Sequence, residues 1–200
     1  MVRIDHVIWT TADLERTAES LAARYGLRVS GGGRHEGHGT HNLIVPLGGG
    51  FLELLALEDP RLAASSPIGR ALATAGEGLF GWVVAVEEIA PHAERLGLDT
   101  LTLTRGATQI LLAGVAEAMS APWLPFFIER PAGSADPGAG GTGGGIASLE
   151  VRGDRERLSE WLDGAELPLE LAASGEPGVR SVRLGSGVVL GGADAQDAGR

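Results

Sequence analysis

Cysteine is absent from the 200 residues, which removes disulfide bonds, a thiolate nucleophile and any Cys-ligated zinc. Lysine is absent as well. All 16 basic residues are arginine, so Schiff-base chemistry on a lysine amine is closed to this chain. No apolar run reaches the roughly 18 to 20 residues of a membrane helix. The start, Met1-Val2-Arg3-Ile4-Asp5-His6, has neither a long apolar stretch nor a small-residue cleavage site, and reads as no signal peptide. Positive charge is scarce: 16 basic against 26 acidic residues leave a net charge of -10. Nothing concentrates cations against phosphate, so a nucleic-acid partner is not expected, and an acidic membrane surface would repel the chain. Asparagine occurs once, at Asn42. These absences leave the expectation of a cytoplasmic domain that handles a small molecule or another protein.

What is present describes a chain that folds. Hydrophobic residues make up 44% and charged residues 21%, ordinary globular usage in a length that suits one domain or a tight pair of half-domains. Ile4 to Thr10 is a β-branched and aromatic run, read as a strand. Leu14, Ala18, Leu21, Ala22 and Tyr25 recur at helical spacing behind the N-cap candidates Thr11 and Asp13, and Gly26 stops that helix. Leu27 to Ser30, His41 to Leu47 and Phe51 to Leu57 read as three further strands, the first broken by Gly31-Gly32-Gly33. The order β-α-β-β-β thus fills residues 1–57, returns over 78–130 after a helical connector at 60–76, and returns again over 146–190. Residues 131–145, rich in Gly and Pro, read as a flexible linker, and 191–200 as a frayed tail.

Chemistry concentrates at a few positions. By strand alternation Ile4, His6 and Ile8 share one face of the first strand, and Asp5, Val7 and Trp9 the other. Glu53 lies inside Phe51-Leu52-Glu53-Leu54-Leu55, where a buried carboxylate is costly unless it is paired or coordinates a metal. Phe127-Ile128-Glu129 matches Phe51-Leu52-Glu53 register for register. If each repeat forms one curved sheet, His6, Glu53 and Glu129 face a common hollow, and one imidazole with two carboxylates makes a divalent-metal set with open positions. The alternative is an acid that snorkels to water or pairs with an arginine such as Arg130, and a core histidine that is merely hydrogen-bonded.

Arg34 to Asn42 holds three of the five histidines, His35, His38 and His41. Two readings stand for it: a lid that presents Thr40 and Asn42 to a ligand, or an exposed hairpin with solvated histidines. Gly138 to Gly143 matches G-x-G-x-x-G literally, but a Pro-rich segment precedes it and a strand follows, so the dinucleotide reading fails. No G-x-S-x-G stands on a strand-to-helix turn to support a catalytic serine.

Ile4-Asp5-His6-Val7-Ile8, Gly39-Thr40-His41-Asn42-Leu43, Gly50-Phe51-Leu52-Glu53-Leu54 and Leu124 to Glu129 resemble the vicinal oxygen chelate superfamily, more narrowly its glyoxalase-like domain group. The resemblance covers the first two repeats well and the third only in outline. It implies an α+β fold in which repeated βαβββ modules form curved mixed sheets around a pocket. In the metal-dependent members each of two paired modules gives a first-strand and a fourth-strand ligand. Carried over, these are His6, Glu53 and Glu129, while Gly81-Trp82 stands where the fourth ligand would be. The implied protein is an enzyme of lyase, isomerase or dioxygenase type acting on a small oxygenated molecule through bound Zn, Mn, Ni or Fe as a Lewis acid. Glu53 and Glu129 would be its catalytic carboxylates, and Thr40, Asn42, Trp82 and Phe127 its substrate contacts, with Trp123 and Phe126 as further candidates for an apolar wall. The alternative within the same fold is a metal-free protein that binds or sequesters a small molecule. The third repeat offers a surface for a homodimer.

Overall fold

Local sequence chemistry sets the ends of several elements. β1 (Arg3–Thr10) leads into α1 (Leu14–Tyr25), whose N-cap Asp13 accepts the Arg16 N–H at 3.0 Å. Gly26 ends α1 in the left-handed region at φ 70° and returns its N–H to the last turn. β2 (Gly31–His35), β3 (Thr40–Pro46) and β4 (Phe51–Leu57) follow, then the short helices α2 (Pro60–Ala63) and α3 (Pro67–Leu72). The second half repeats the order with β5 (Gly78–Ala85), α4 (Ala90–Leu96), β6 (Thr100–Arg105), β7 (Thr108–Ala113) and β8 (Phe126–Glu129), with α5 (Val115–Ser120) before β8. The remainder is β9 (Ile146–Arg152), α6 (Arg155–Trp161), β10 (Leu169–Ala172), β11 (Gly178–Leu184) and β12 (Val189–Gly191). The computed structural model describes residues 2–105, 108–172 and 174–191; of the tail expected to fray, only Gly191 lies within the described residues.

The first eight strands form one sheet in the order β2-β3-β4-β1-β5-β8-β7-β6. It reads identically outward from its centre. β1 and β5 pair antiparallel, each takes the fourth strand of its own half in parallel, and the two hairpins lie at the rims. This is the paired βαβββ architecture of the vicinal oxygen chelate fold. The glycines that break the Leu27–Ser30 run are themselves the second strand. β2 begins at Gly31, where Gly32 lies so close to the Asn42 carbonyl that a Cβ would not fit.

The third segment keeps the β-α-β-β-β order but is wired differently. Its sheet runs β10-β9-β11-β12, so the second strand lies beside the first and the fourth is at an edge. Leu149, Val151, Leu158, Trp161, Val182 and Leu184 join Val7, Leu52, Leu54, Trp82, Val84 and Phe127 in one core. This sheet therefore covers one face of the large sheet. A separate apolar cluster, including Ile8, Leu55, Val83, Ile110, Leu112, Phe126 and Ile128, lines the other.

Residues 138–145 are not a loose tether. The chain lies on the β3–β4 turn, with Gly48 N–H donating to Gly138 O at 2.9 Å and Gly145 N–H to Leu47 O at 2.6 Å. A Cβ on Gly138 or Gly141 would run into the carbonyls of Gly50 and Pro46. Glycine is needed here for close backbone approach, where composition alone suggests flexibility.

Candidate functional site

β1 builds the site by breaking its own alternation. The pairing with β5 slips between Ile4 and His6, so Asp5 is the extra residue of a β-bulge. Ile4 joins Val7 in the core behind the sheet, while His6 and Ile8 face the pocket. Strict alternation would put Asp5 with Val7; the bulge instead sets its carboxylate beside the ring it precedes. Asp5 Oδ2 is 2.7 Å from His6 Nδ1, and Arg130 grips the same carboxylate with both terminal nitrogens, one of them at 2.8 Å from Oδ2.

On the neighbouring strand Glu53 stands beside Ile8, with Oε2 3.3 Å from His6 Nε2. Its other oxygen accepts from Asn42 Nδ2 and lies 3.7 Å from His35 Nε2. His35 Nδ1 in turn meets Thr40 Oγ at 2.8 Å. Asp5, His6 and Glu53 are 1%, 4% and 9% exposed, so this is a buried ionic chain, with Arg130 and Glu53 at its ends both lining the pocket. Burial alone favours the neutral acid at Asp5, but the His6 and Arg130 contacts outweigh it and hold the carboxyl well below the usual range. At His6 burial favours the neutral ring, and the hydrogen bonds to Asp5 and then Glu53 outweigh that and raise it. Glu53, pushed up by burial and pulled down more strongly by His6, then by His35 and Asn42, falls to about 2.

These groups form one end of a cavity of about 130 Å³ between the two halves of the sheet. Opposite them are Ile110, Leu112, Phe126 and Ile128, with Ile68, Val115 and Pro137 nearer the helices and rim. His6 also stacks on Phe51 at 4.4 Å.

Residues 4–166 match the sequence model described as the glyoxalase-like domain. The chain belongs to that family. No curated protein matches it. Among solved structures, a hypothetical protein from Staphylococcus aureus is similar over 92% of this chain and 81% of its own, at 13% identity and a TM-score of 0.63. Methylmalonyl-CoA epimerase of Streptomyces coelicolor, in complex with 2-nitronate-propionyl-CoA, shares 24% identity over 66% of this chain and 97% of its own, at a TM-score of 0.49. The Mycobacterium tuberculosis epimerase shares 17% over 64% and 86%, also at 0.49.

The expected residues divide in this glyoxalase-like domain. His6, Glu53, Thr40 and Asn42 come together in the pocket, joined by His35 and His38 of the histidine tract. His41 instead lines a groove on β3 with Arg34 and Glu15. Glu129 does not join them. The register Val83↔Phe126 repeats His6↔Phe51, so Phe126-Phe127-Ile128, one residue earlier than expected, is the counterpart of Phe51-Leu52-Glu53. A one-residue slip reverses every side chain. Glu129 turns to the far face, where its carboxylate accepts the Ile89 N–H at 2.6 Å at the start of α4. The same reversal removes Trp82 and Phe127 from the ligand side. Trp82 donates its indole N–H to Trp123 O at 3.0 Å, and Phe127 stacks between His92 and Trp161 in the shared core. Of the four aromatics expected on the wall, Phe126 alone lines the pocket.

The residues present do not complete the metal set the fold implies. Where the second half would repeat His6 and Glu53 it has Val83 and Ile128, which are not ligands. Among the described residues no three His, Asp or Glu side chains are placed to hold an ion. Sequence reasoning missed Asp5 and Arg130. The available signal was a second buried-strand acid directly before His6, which needed a cation.

Proposed function

We propose that this glyoxalase-like domain binds a small organic molecule in the concave pocket and works there without a resident metal ion, through the chain Arg130–Asp5–His6–Glu53. One observation carries the reading. Val83 and Ile128 occupy the positions where the second half would supply ligands, while His6 and Glu53 already satisfy each other and their neighbours. The aliphatic second half is then the surface for the apolar body of the ligand, and the first half addresses its polar group. The chemistry open to such a site is proton transfer. His6, with Nδ1 held by Asp5, presents Nε2–H to a bound oxygen, and Glu53 holds the opposite charge beside it.

A second reading is favoured by one distance. The 3.3 Å between His6 Nε2 and Glu53 Oε2 suits two donors on one ion, and a carboxylate on Nδ1 is the usual partner of a metal-bound histidine. His6 and Glu53 would then hold Zn, Mn, Ni or Fe, which would supply Lewis-acid polarisation for lyase, isomerase or dioxygenase chemistry. Metal analysis of the purified protein separates the two. The favoured reading expects no stoichiometric metal, and pocket binding that survives a chelator. One equivalent of metal that disappears in His6→Ala overturns it in favour of the second.

A further inference from the structure

β6, β7 and β8 pair so that Leu101, Leu112 and Ile128 form one row across three strands, with Leu103 and Ile110 in the next. Together with Phe126 these side chains line the cavity, and each is pure hydrocarbon. Thr102, between the two leucines, pairs with Leu111, whose side chain packs in the core behind the sheet, so by alternation it points away from this floor. Ile110, Leu112, Phe126 and Ile128 are 9%, 7%, 4% and 5% exposed, which makes this part of the cavity closed. Leu101 differs from them. It lines the same cavity yet is 40% exposed, on the strand that ends the sheet four places from β1. A single bare leucine on a surface is ordinary. One that continues the row of Leu112 and Ile128 carries the apolar floor out of the cavity at β6. Hydrocarbon that leaves the closed part along this row stays in contact with leucine.

Volume sets the second limit. The cavity holds about 130 Å³, close to the roughly 150 Å³ that accepts benzene in an engineered site lined by Leu, Ile and Phe. At its inner end the rings of His6 and Phe126 stand 77° apart in plane with centroids 6.3 Å apart, so a longer body has to extend toward β6. One six-membered ring fills the closed part. A flexible alkyl group can turn onto Leu101, and each methylene it buries there gains up to about four-fold in affinity. A fused second ring is rigid and competes for the closed volume instead. We infer that the apolar body of the ligand is a single six-membered hydrocarbon ring carrying a flexible alkyl group. The ring sits among Ile110, Leu112, Phe126 and Ile128, and the alkyl group lies over Leu101 at the mouth. This rests on the pocket reading, but not on the charge or protonation of any group at the polar end.

The test uses the whole chain and three probes without polar groups: toluene, propylbenzene and naphthalene, each below its solubility limit. Methyl NMR titration gives the affinities. The δ1 methyls of Ile44, Ile110 and Ile128 report binding in the cavity, and the Leu101 methyls report contact at the mouth. Toluene and propylbenzene should both shift the isoleucine methyls, propylbenzene about five-fold tighter and shifting Leu101 as well. Naphthalene, similar to propylbenzene in carbon count, should bind about ten-fold or more weaker than it. Leu101→Asp, at an exposed position, should bring propylbenzene within about two-fold of toluene and leave toluene unchanged; should that variant fail to fold, the wild-type ratios and the Leu101 shift decide. Naphthalene as tight as propylbenzene, propylbenzene no tighter than toluene, or an advantage that survives Leu101→Asp overturns the inference and leaves the pocket reading standing. If no probe shifts the isoleucine methyls, the apolar site itself is absent and both fall.

Discussion

At the scale of single residues, the site is governed by the contest between burial and partnership. Asp5, His6 and Glu53 are each pushed toward the neutral form by burial and held charged by their neighbours. The signs of the shifts fix the pH behaviour. Glu53 has a folded-state value of about 2 against 4.5 in the unfolded chain, so its contribution is complete above 4.5 and is lost as pH falls toward 2. That shift corresponds to about 3 kcal/mol. His6 is raised, so its contribution is complete below 6.5 and fades as pH rises through the folded value. The stability gap between wild type and Glu53→Gln, measured by urea unfolding, should therefore be widest from about pH 4.5 to 6.5. It should shrink below that window as Glu53 takes up its proton and above it as His6 loses its charge. Asp5→Asn removes the negative charge shared by His6 and Arg130 and puts a donor where one of its two acceptor oxygens stood. We expect a loss of about 3 to 5 kcal/mol for breaking a buried pair, and a lower titration midpoint for the His6 ring by NMR.

At the scale of elements, a single strand separates function from support. β8 alternates Phe126 and Ile128 toward the pocket with Phe127 and Glu129 toward the core and α4. Ile128→Ala should cost about 2 to 4 kcal/mol through the void it leaves and should weaken ligand binding. Glu129→Ala should cost about 1 to 2 kcal/mol for the acceptor lost at the start of α4, with ligand affinity unchanged. Denaturation and calorimetry on the two variants check both halves of this contrast; equal loss of binding in both would place Glu129 in the site after all. Residue types alone suggested the reverse, because a glutamate looks more functional than an isoleucine. The period-2 pattern of β8 is readable from sequence, but its phase relative to β5 is set by pairing.

At the scale of the molecule, the third segment closes the back of the large sheet, and the glycine seam locks it there. Trp161 packs on Phe127 and donates its indole N–H to Pro125 O at 2.8 Å, so α6 is keyed to the strand that lines the pocket on its other face. Trp161→Ala should lower stability by about 3 to 5 kcal/mol, and calorimetry should show one transition for the whole chain rather than separate melting of the third segment. Gly141→Ala forces a Cβ onto the Pro46 carbonyl and should destabilise by more than about 1 kcal/mol, where the same change in a flexible tether would be nearly neutral. Equilibrium unfolding in urea distinguishes these outcomes.

The paired βαβββ halves, the capped helices, the pocket membership of His6, Glu53, Thr40 and Asn42 and the likeness to the glyoxalase-like family were all legible in the amino acids. Hydrophobic period, cap residues and glycine stops are local and carry their own geometry. Three features were not legible: the bulge that brings Asp5 beside His6, the phase of β8 that exchanges Ile128 for Glu129, and the seam that packs residues 138–145 against the β3–β4 turn. Each depends on which backbone lies alongside, since a strand's inward face is defined only by its partner and a glycine's role only by what approaches it. For that reason the chemistry of the site, a buried ionic chain facing an aliphatic wall, was decided by the tertiary structure.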